Sequence, residues 1–300
     1  MKSCVLGMLL ALIFSVPSYA EEAKTAGVPD EKQETKEFKE PPLHLFDIIT
    51  NVPGDYAAFA KNVFQLENFP TYLWLTSATI AGVETDHGTW QSTKYVFDNS
   101  DATGKKLWRA AANLGKGDRQ IAVGALFALY GWIAGEKKYL RVASQIVEVV
   151  LDTGITTQIL KHIIGRQSPD SLTNVPTGKW QLFTSPKNYT KHVSAHDAMP
   201  SGHVATAFAS ARILELSFPD NHWLPYVAYS YCAMAGVAMV ATSGHWYSDY
   251  PYAMAIGYNF AKAVSRNNSE VLREQQQKKG EFSVFAPAPG VFAVTYSKRF

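Results

Sequence analysis

The stretch Met199–His203, with the sequence Met-Pro-Ser-Gly-His, begins an alanine- and phenylalanine-rich run that continues to Ser217. Proline is favoured at the start of an α-helix, and a helix N-terminus binds anions through its free N–H groups and its dipole. Gly202 would let a phosphate approach the backbone, and Ser201 would add a hydroxyl donor. His203 lies where it could protonate a departing alkoxide. An ordinary helix cap with an incidental histidine is the alternative interpretation.

A second polar cluster, Ser243–Asp249, follows further along the chain. If it is helical, His245 and Asp249 share a face, because residues four apart on a helix are neighbours. Asp249 would then accept a hydrogen bond from one imidazole nitrogen, which fixes the tautomer and leaves the other nitrogen free to attack. Taken alone, such a pair is more typical of a structural contact.

Lys161 supplies a third element, because it stands eight positions before Pro169 with Gly165 and Arg166 between them. In this order, Lys161, the Pro-Ser-Gly-His block and the His-x-x-x-Asp pair resemble the three motifs of the type 2 phosphatidic acid phosphatase (PAP2) and vanadium haloperoxidase superfamily. The resemblance covers residues 118–264 and extends more weakly to the region before them.

The resemblance implies an all-α helical bundle and a metal-independent phosphatase that needs no cofactor. His245 would attack phosphorus and form a phosphohistidine, Asp249 would orient it, and His203 would protonate the leaving group. Water would then hydrolyse the intermediate. The substrate would be a phosphomonoester or pyrophosphate, either of a lipid or isoprenoid or of a small soluble molecule. The residues expected to hold the phosphate are Lys161, Arg166, Ser201, Gly202 and His203.

Two arginines of the family motifs are missing, since Ser168 precedes Pro169 and Met239 follows Ala238. Each would donate bidentate hydrogen bonds to phosphate oxygens from its planar guanidinium group. The loss of one such donor slows catalysis by about 10²–10³. Arg166, or the basic side chains of Lys116 and Arg119, are the candidate replacements. Arg212 lies too far along its helix, at roughly 13 Å from His203 for a rise of about 1.5 Å per residue.

The missing arginines leave two alternatives open. The first is a binding or scaffold protein that keeps the fold with weak or no catalysis. The second is vanadate-dependent halide oxidation in the same pocket. A metal site at His192, His196 and Asp197 is not expected, because this loop has neither helical ligand spacing nor nearby cysteines.

Apolar residues recur with helical periodicity through most of the chain, which predicts a helical core. The segment Asp86–Asn113 is instead expected to wrap the surface, and short helical pieces are expected within Leu45–Leu66. Two short runs in the tail, Phe282–Phe285 and Val291–Tyr296, predict a small C-terminal β-hairpin. The predicted helices are Phe69–Val83, Asp118–Gly135, Lys138–Ile164, His203–Ser217, Trp223–Ala241 and Trp246–Arg266.

The N-terminal residues resemble a secretory signal peptide, residues 1–20, cut after Ala20. A charged lead-in at 21–40 is expected to be disordered. The PAP2-like domain then occupies 41–268, and a polar tail with the hairpin occupies 269–300. Cleavage would remove Cys4 and leave Cys232 without a partner for a disulfide. These features predict a secreted, periplasmic protein.

A formal charge of +2 without a basic stripe gives no indication of nucleic-acid binding. Residues 222–243 carry no Lys, Arg, Asp or Glu and are long enough to span a bilayer. Charged residues within Lys138–Ile164 and His203–Ser217 favour a soluble or peripheral protein over an integral one. Peripheral membrane contact stays open, and the sequence does not indicate an oligomeric state.

Overall fold

The computed structural model describes residues 47–171, 176–279, 281–288 and 291–297, with side chains for residues 48–171 and 176–269. The predicted signal peptide and lead-in lie outside the described residues. The helices are, in chain order, α1 (Asp47–Val63), α2 (Phe69–Asp98), α3 (Ala102–Asn113), α4 (Gly117–Ala134), α5 (Lys137–Ile164), α6 (Pro186–Lys191), α7 (Gly202–Ser217), α8 (Trp223–Ala241) and α9 (Tyr250–Lys279). Short 3-10 turns occur at Leu66–Asn68, Pro169–Ser171, Val193–Ala195 and Tyr247–Asp249.

The all-α prediction is confirmed in this part of the chain, and helices α4, α5, α7 and α8 begin and end within a residue of their predicted bounds. Helix α5 ends at Gly165, as predicted, because this residue adopts the left-handed conformation with φ of 57°. A β-carbon at position 165 would overlap the carbonyl of Gln181. Glycine is therefore the residue that fits this helix end.

The core lies between α5, α7 and α9. Val142, Ile146 and Val149 of α5 pack against apolar residues of the other two helices, and all three are nearly or fully buried. Helices α7 and α9 approach closely at Gly257, where a β-carbon would lie 2.6 Å from the carbonyl oxygen of Ala205. This packing fixes the N-terminus of α7 next to the segment that leads into α9.

The prediction for Asp86–Asn113 was wrong, because α2 continues to Asp98 and α3 occupies Ala102–Asn113. The second half of α2 is polar, contains Gly88 and has little apolar periodicity, so its sequence does not favour a helix. Tertiary contacts stabilise it instead. Trp90 Nε1 donates to Ser243 Oγ at 3.1 Å, and a β-carbon on Gly82 would lie 2.9 Å from Ser248 Cβ.

Helix α9 begins at Tyr250 rather than at Trp246, because residues Tyr247–Asp249 form a 3-10 turn. It continues to Lys279, beyond its predicted end. Two antiparallel segments, β1 (Glu281–Ala288) and β2 (Val291–Ser297), follow it. No side chain of these segments is described, and the C-terminal hairpin stays a prediction.

Helix α8 is the one described helix that is long and apolar enough to cross a membrane, with a mean hydropathy of 1.4 and 39% of its residues buried. Core helices of soluble proteins meet the same test. Its first half exposes large apolar side chains, since Trp223, Tyr226 and Val227 are 80%, 62% and 64% exposed. On α4, Trp132 and Ile133 are 75% and 72% exposed.

Candidate active site

Three separate segments meet at one end of the bundle: the last turn of α5, the first turn of α7 and the loop before α9. The imidazole centroids of His203 and His245 are 5.8 Å apart. The amine of Lys161 lies 4.0 Å from the position that a β-carbon on Gly202 would take. The structure thus brings together the residues that the three sequence motifs singled out.

The first turn of α7 presents backbone amides to this space. Ser201 is the N-cap, and its hydroxyl accepts a hydrogen bond from the N–H of Val204 at 3.4 Å. The amides of Gly202 and His203 belong to the first turn, where N–H groups have no carbonyl partner within the helix. The dipole and these amides favour an anion at this point.

His245 is oriented mainly by a main-chain carbonyl. Its Nδ1 lies 2.7 Å from the carbonyl oxygen of Ala198 but 3.6 Å from Asp249 Oδ2, which is beyond hydrogen-bonding distance. A carbonyl oxygen only accepts, so Nδ1 carries the proton and Nε2 keeps its lone pair. The expectation of a shared helical face was wrong, because His245 precedes the 3-10 turn.

Asp249 is buried and held by two donors. Its carboxylate accepts from the N–H of Trp246 at 2.7 Å and from Arg166 at 2.7 Å, close to His245 Nδ1. Burial would raise the pKa of Asp249, but the positive charge of Arg166 and the contacts with His245 and Trp246 lower it below its ordinary value. Asp249 therefore places a negative charge beside the His245 ring.

Arg166 is fully buried behind the site. Its two terminal nitrogens donate to Asp249, Ser248, Asp86 and the carbonyl of Thr177 at 2.6–3.0 Å. The guanidinium also lies over two indole rings, 4.8 Å from the centre of Trp180 and 5.3 Å from that of Trp246. These contacts use four of its five N–H groups, so this geometry does not offer Arg166 to a phosphate as the sequence analysis expected.

Asp86 is a site residue that the sequence analysis missed. It is 1% exposed, pairs with Arg166 at 2.7 Å and accepts hydrogen bonds from the N–H and hydroxyl of Ser248. Burial raises its pKa, although the charge of Arg166 acts in the opposite direction. No motif marks this residue, and only the packing of α2 against the loop before α9 brings it here.

Lys161 lies in the site but is already paired. Its amine donates to Asp197 Oδ1 at 2.7 Å, and the hydroxyl of Tyr189 donates to the same oxygen. The lysine side chain is 8% exposed, whereas that of Asp197 is 30% exposed. An anion that enters the site therefore meets a lysine whose charge is balanced by a carboxylate.

His203 is neutral over most of the pH range. Burial, together with the neighbouring His245 ring and the positive charges of Lys161 and Lys116, lowers its pKa to about 3, although Asp197 acts in the opposite direction. A bound phosphate would add negative charge next to the ring and so favour its protonated form.

Other side chains fill the positions of the missing arginines. Ser168 is buried, and its N–H donates to the carbonyl of Ser194 at 2.8 Å. The Met239 side chain packs against Gly244 so closely that a β-carbon there would overlap it. Of the candidate replacements, Lys116 is exposed near His203, and Arg119 lies 3.9 Å from Asp118.

No group of three or more His, Cys, Asp or Glu that could hold a metal ion occurs among the described residues. His196 lies with Nδ1 3.4 Å from the hydroxyl of Thr184, and Asp197 contacts Lys161. The histidine and aspartate of the loop that raised the question of a metal thus have other partners.

Fold and site together define an all-α protein whose paired histidines lie at a helix N-terminus. The sequence profile of the PAP2 superfamily matches residues 143–272. The resemblance stated from the motifs is therefore confirmed over this segment. Within the matched segment the chain departs from the motifs at Ser168 and Met239, where the motifs have arginine.

Two similar proteins illustrate the relationship. The lipid A 1-phosphatase of Porphyromonas gingivalis is 32% identical over 65 residues, which are 21% of this chain and 15% of that relative. The match thus spans a small part of that protein's length. A crystal structure of a transmembrane PAP2 type phosphatidylglycerolphosphate phosphatase from Bacillus subtilis has a TM-score of 0.48 and 17% identity, covering 69% of this chain and 97% of that one.

Proposed function

We propose that this protein is a metal-independent phosphatase that forms a phosphohistidine on His245. The observation that carries the proposal is the hydrogen bond of 2.7 Å between His245 Nδ1 and the carbonyl oxygen of Ala198. It leaves Nε2 with a lone pair, in a site where His203 and the first turn of α7 lie close by. A nucleophile, a proton donor and an anion-binding helix end are thus present together.

The reaction would proceed in two steps. Nε2 of His245 attacks phosphorus, a P–N bond forms and the P–O bond to the leaving group breaks, while His203 gives its proton to the departing oxygen. Asp249 stabilises the charge that develops on the His245 ring. Neutral His203 then takes a proton from water, whose oxygen attacks phosphorus and breaks the P–N bond. Lys161 and the amides of Gly202 and His203 would hold the phosphoryl oxygens.

The proposed substrate is a phosphorylated lipid or isoprenoid, with small soluble phosphate esters as the other class. Both similar proteins are named as phosphatases of lipid or phospholipid substrates. The exposed apolar side chains at the start of α8 and the end of α4 support contact with a membrane surface. Export to the periplasm remains the prediction made from the first twenty residues.

The test is phosphate release by the purified protein from an aryl phosphate and from a lipid phosphate, both in the presence of a chelator. We expect release by the wild type and its loss in His245→Ala. Phosphohistidine of the wild type should be trapped by an alkaline quench, in which its P–N bond is stable, and detected by mass spectrometry. The matched control is His222→Ala, a histidine before α8 at the other end of α7 and α8 from the site. Unchanged release by His245→Ala would overturn the mechanism.

A scaffold or binding protein is the second candidate function. It is favoured by Ser168 and Met239 at the arginine positions and by the pairing of Lys161 with Asp197. A wild type that binds phosphate esters but releases phosphate from none of them would support this function instead.

A further inference from the structure

Around the two histidines, each buried cation is paired with at least one carboxylate. Lys161 is paired with Asp197 at 2.7 Å. Arg166 stands between two buried carboxylates, those of Asp86 and Asp249, at 2.7 Å each. Neither cation therefore adds net positive charge to the site.

The remaining positive charge near the site is small. Lys116 is exposed at the N-cap of α4, where solvent screens its charge. The two positions that would carry motif arginines hold an uncharged serine and an uncharged methionine. A doubly charged phosphate would thus enter a site without matching cations, whereas a singly charged group could be held by the amides of α7 and by Lys161.

We propose that Asp197 is a specificity-determining residue, and that its pairing with Lys161 makes this site select singly charged phosphoryl groups, namely phosphodiesters, over the dianions of phosphomonoesters. This proposal rests on the proposed function: phosphodiesters become the preferred substrates, and the same histidines turn over phosphomonoesters more slowly. A phosphomonoester carries close to two negative charges above its second pKa of about 6, whereas a diester carries one at any neutral pH.

The chemistry of the diester balances without a further reactant. Nε2 of His245 attacks phosphorus, one P–O bond breaks, and His203 protonates the departing oxygen. The intermediate is a phosphohistidine that still bears the second ester group. Water then supplies a hydroxyl to phosphorus and a proton to His203, the P–N bond breaks, and the product is a phosphomonoester.

The experiment compares p-nitrophenyl phosphate with bis-p-nitrophenyl phosphate at pH 8. Turnover is measured on the wild type, and dissociation constants are measured by calorimetry on the His245→Ala variant. We expect the diester to bind at least about tenfold more tightly than the monoester, since close unit charges interact strongly in a poorly solvated site. The product of diester turnover should accumulate as the monoester.

Three variants separate charge from packing. Asp197→Asn removes the carboxylate charge and should lower the diester-to-monoester ratio of kcat/KM by about tenfold or more, because the charge of Lys161 is no longer balanced. Tyr189→Phe removes only the hydroxyl that Asp197 accepts and should leave this ratio within about threefold. Asp220→Asn removes an exposed charge beyond the C-terminus of α7 and should leave it unchanged.

Tighter binding of the monoester than of the diester by His245→Ala would overturn the proposal and leave the phosphatase function intact. An equal ratio in Asp197→Asn and Asp220→Asn would overturn the role of Asp197. If the wild type turns over neither ester but His245→Ala still binds the diester more tightly, the proposed function fails while the selection by charge stands.

Discussion

At the residue scale, the orientation of His245 comes from a backbone carbonyl rather than from a carboxylate. Ala198 O lies 2.7 Å from Nδ1, and Asp249 Oδ2 lies 3.6 Å away. In the serine protease triad, where an aspartate alone holds the tautomer, replacing it by asparagine costs about 10⁴ in kcat. Asp249 has a different task here, which is to place negative charge beside a ring that Ala198 already holds.

Because Ala198 orients the His245 ring and Asp249 supplies negative charge, we expect Asp249→Asn to have a moderate effect on kcat. We expect kcat to fall by about 10², because electrostatic stabilisation of the His245 ring is lost while its tautomer is kept. The measurement is steady-state kinetics beside His245→Ala, with thermal unfolding to confirm that the variant is folded. A loss as large as that of His245→Ala would show that Asp249, not Ala198, holds the tautomer.

At the scale of elements, α2 packs on the loop before α9, and the buried ion pair between Asp86 and Arg166 stabilises this contact. Asp86 projects from α2 to Arg166 and Ser248, and the Arg166 guanidinium continues to Asp249. The same helix carries a second ion pair, Lys94 with Asp98, whose side chains are 35% and 51% exposed. One helix thus offers a buried and an exposed pair for direct comparison.

Asp86→Ala should destabilise the protein by about 3–5 kcal/mol, because it leaves the buried charge of Arg166 with one fewer partner. Asp98→Ala, the matched change in the exposed pair, should cost under about 1 kcal/mol. Urea unfolding of both variants measures the free energies. Similar values for the two would contradict the role assigned to the buried pair.

The exposed apolar side chains of α8 predict membrane contact by this element. We expect the full chain to float with vesicles of phosphatidylglycerol and phosphatidylethanolamine. A triple variant that combines Trp223→Ser, Tyr226→Ser and Val227→Ser should reduce the bound fraction. Burial of large apolar side chains is the driving force, at about 1.5–3 kcal/mol for each. Leu107→Ser, at an exposed apolar position of α3 with lysines nearby, is the control. A wild type that stays free of the vesicles would contradict this prediction.

At the scale of the whole molecule, buried acids link α1, α5 and α9. Asp55, Glu148 and Asp152 are each 0% exposed, and Asn267 and Asn268 of α9 donate to the first two. Both carboxylate oxygens of Asp152 lack a hydrogen-bond partner among the described residues. Burial and the neighbouring carboxyl of Asp55 raise the pKa of Glu148 to about 9 and that of Asp152 to about 8.

These pKa values predict that the folded state loses stability as the pH rises. A carboxyl whose pKa is raised on folding binds more protons in the folded than in the unfolded state. Its contribution to stability is therefore complete at pH values below its unfolded pKa, and it is lost as the pH rises to its folded pKa. For Glu148 that window runs from 4.5 to about 9. We expect the thermal midpoint to fall between pH 5 and pH 9.

Glu148→Gln should flatten that slope and raise the midpoint near pH 9, because the neutral amide does not need to ionise in a buried position. Thermal unfolding across the pH range is the measurement, and Glu136→Gln, at an exposed residue before α5, is the control. A wild-type midpoint that rises towards pH 9 would contradict the assignment.

The helical core, its main boundaries and the residues of the three motifs could be predicted from the sequence alone. Apolar periodicity, a glycine at the end of α5 and the Pro-Ser-Gly-His block are local signals, because each depends on neighbours within a few residues. The motif spacing also identified His203 and His245 as a pair before any distance was known.

The distribution of charge around these residues depends on the folded arrangement of the chain and could not be predicted. Asp86, in a stretch with no helical periodicity, reaches Arg166 because α2 packs on the loop before α9. Arg166 therefore lies behind Asp249, and Lys161 lies against Asp197. Ion pairs between residues distant in sequence depend on which segments pack together and on how much water is excluded, and no local pattern records either.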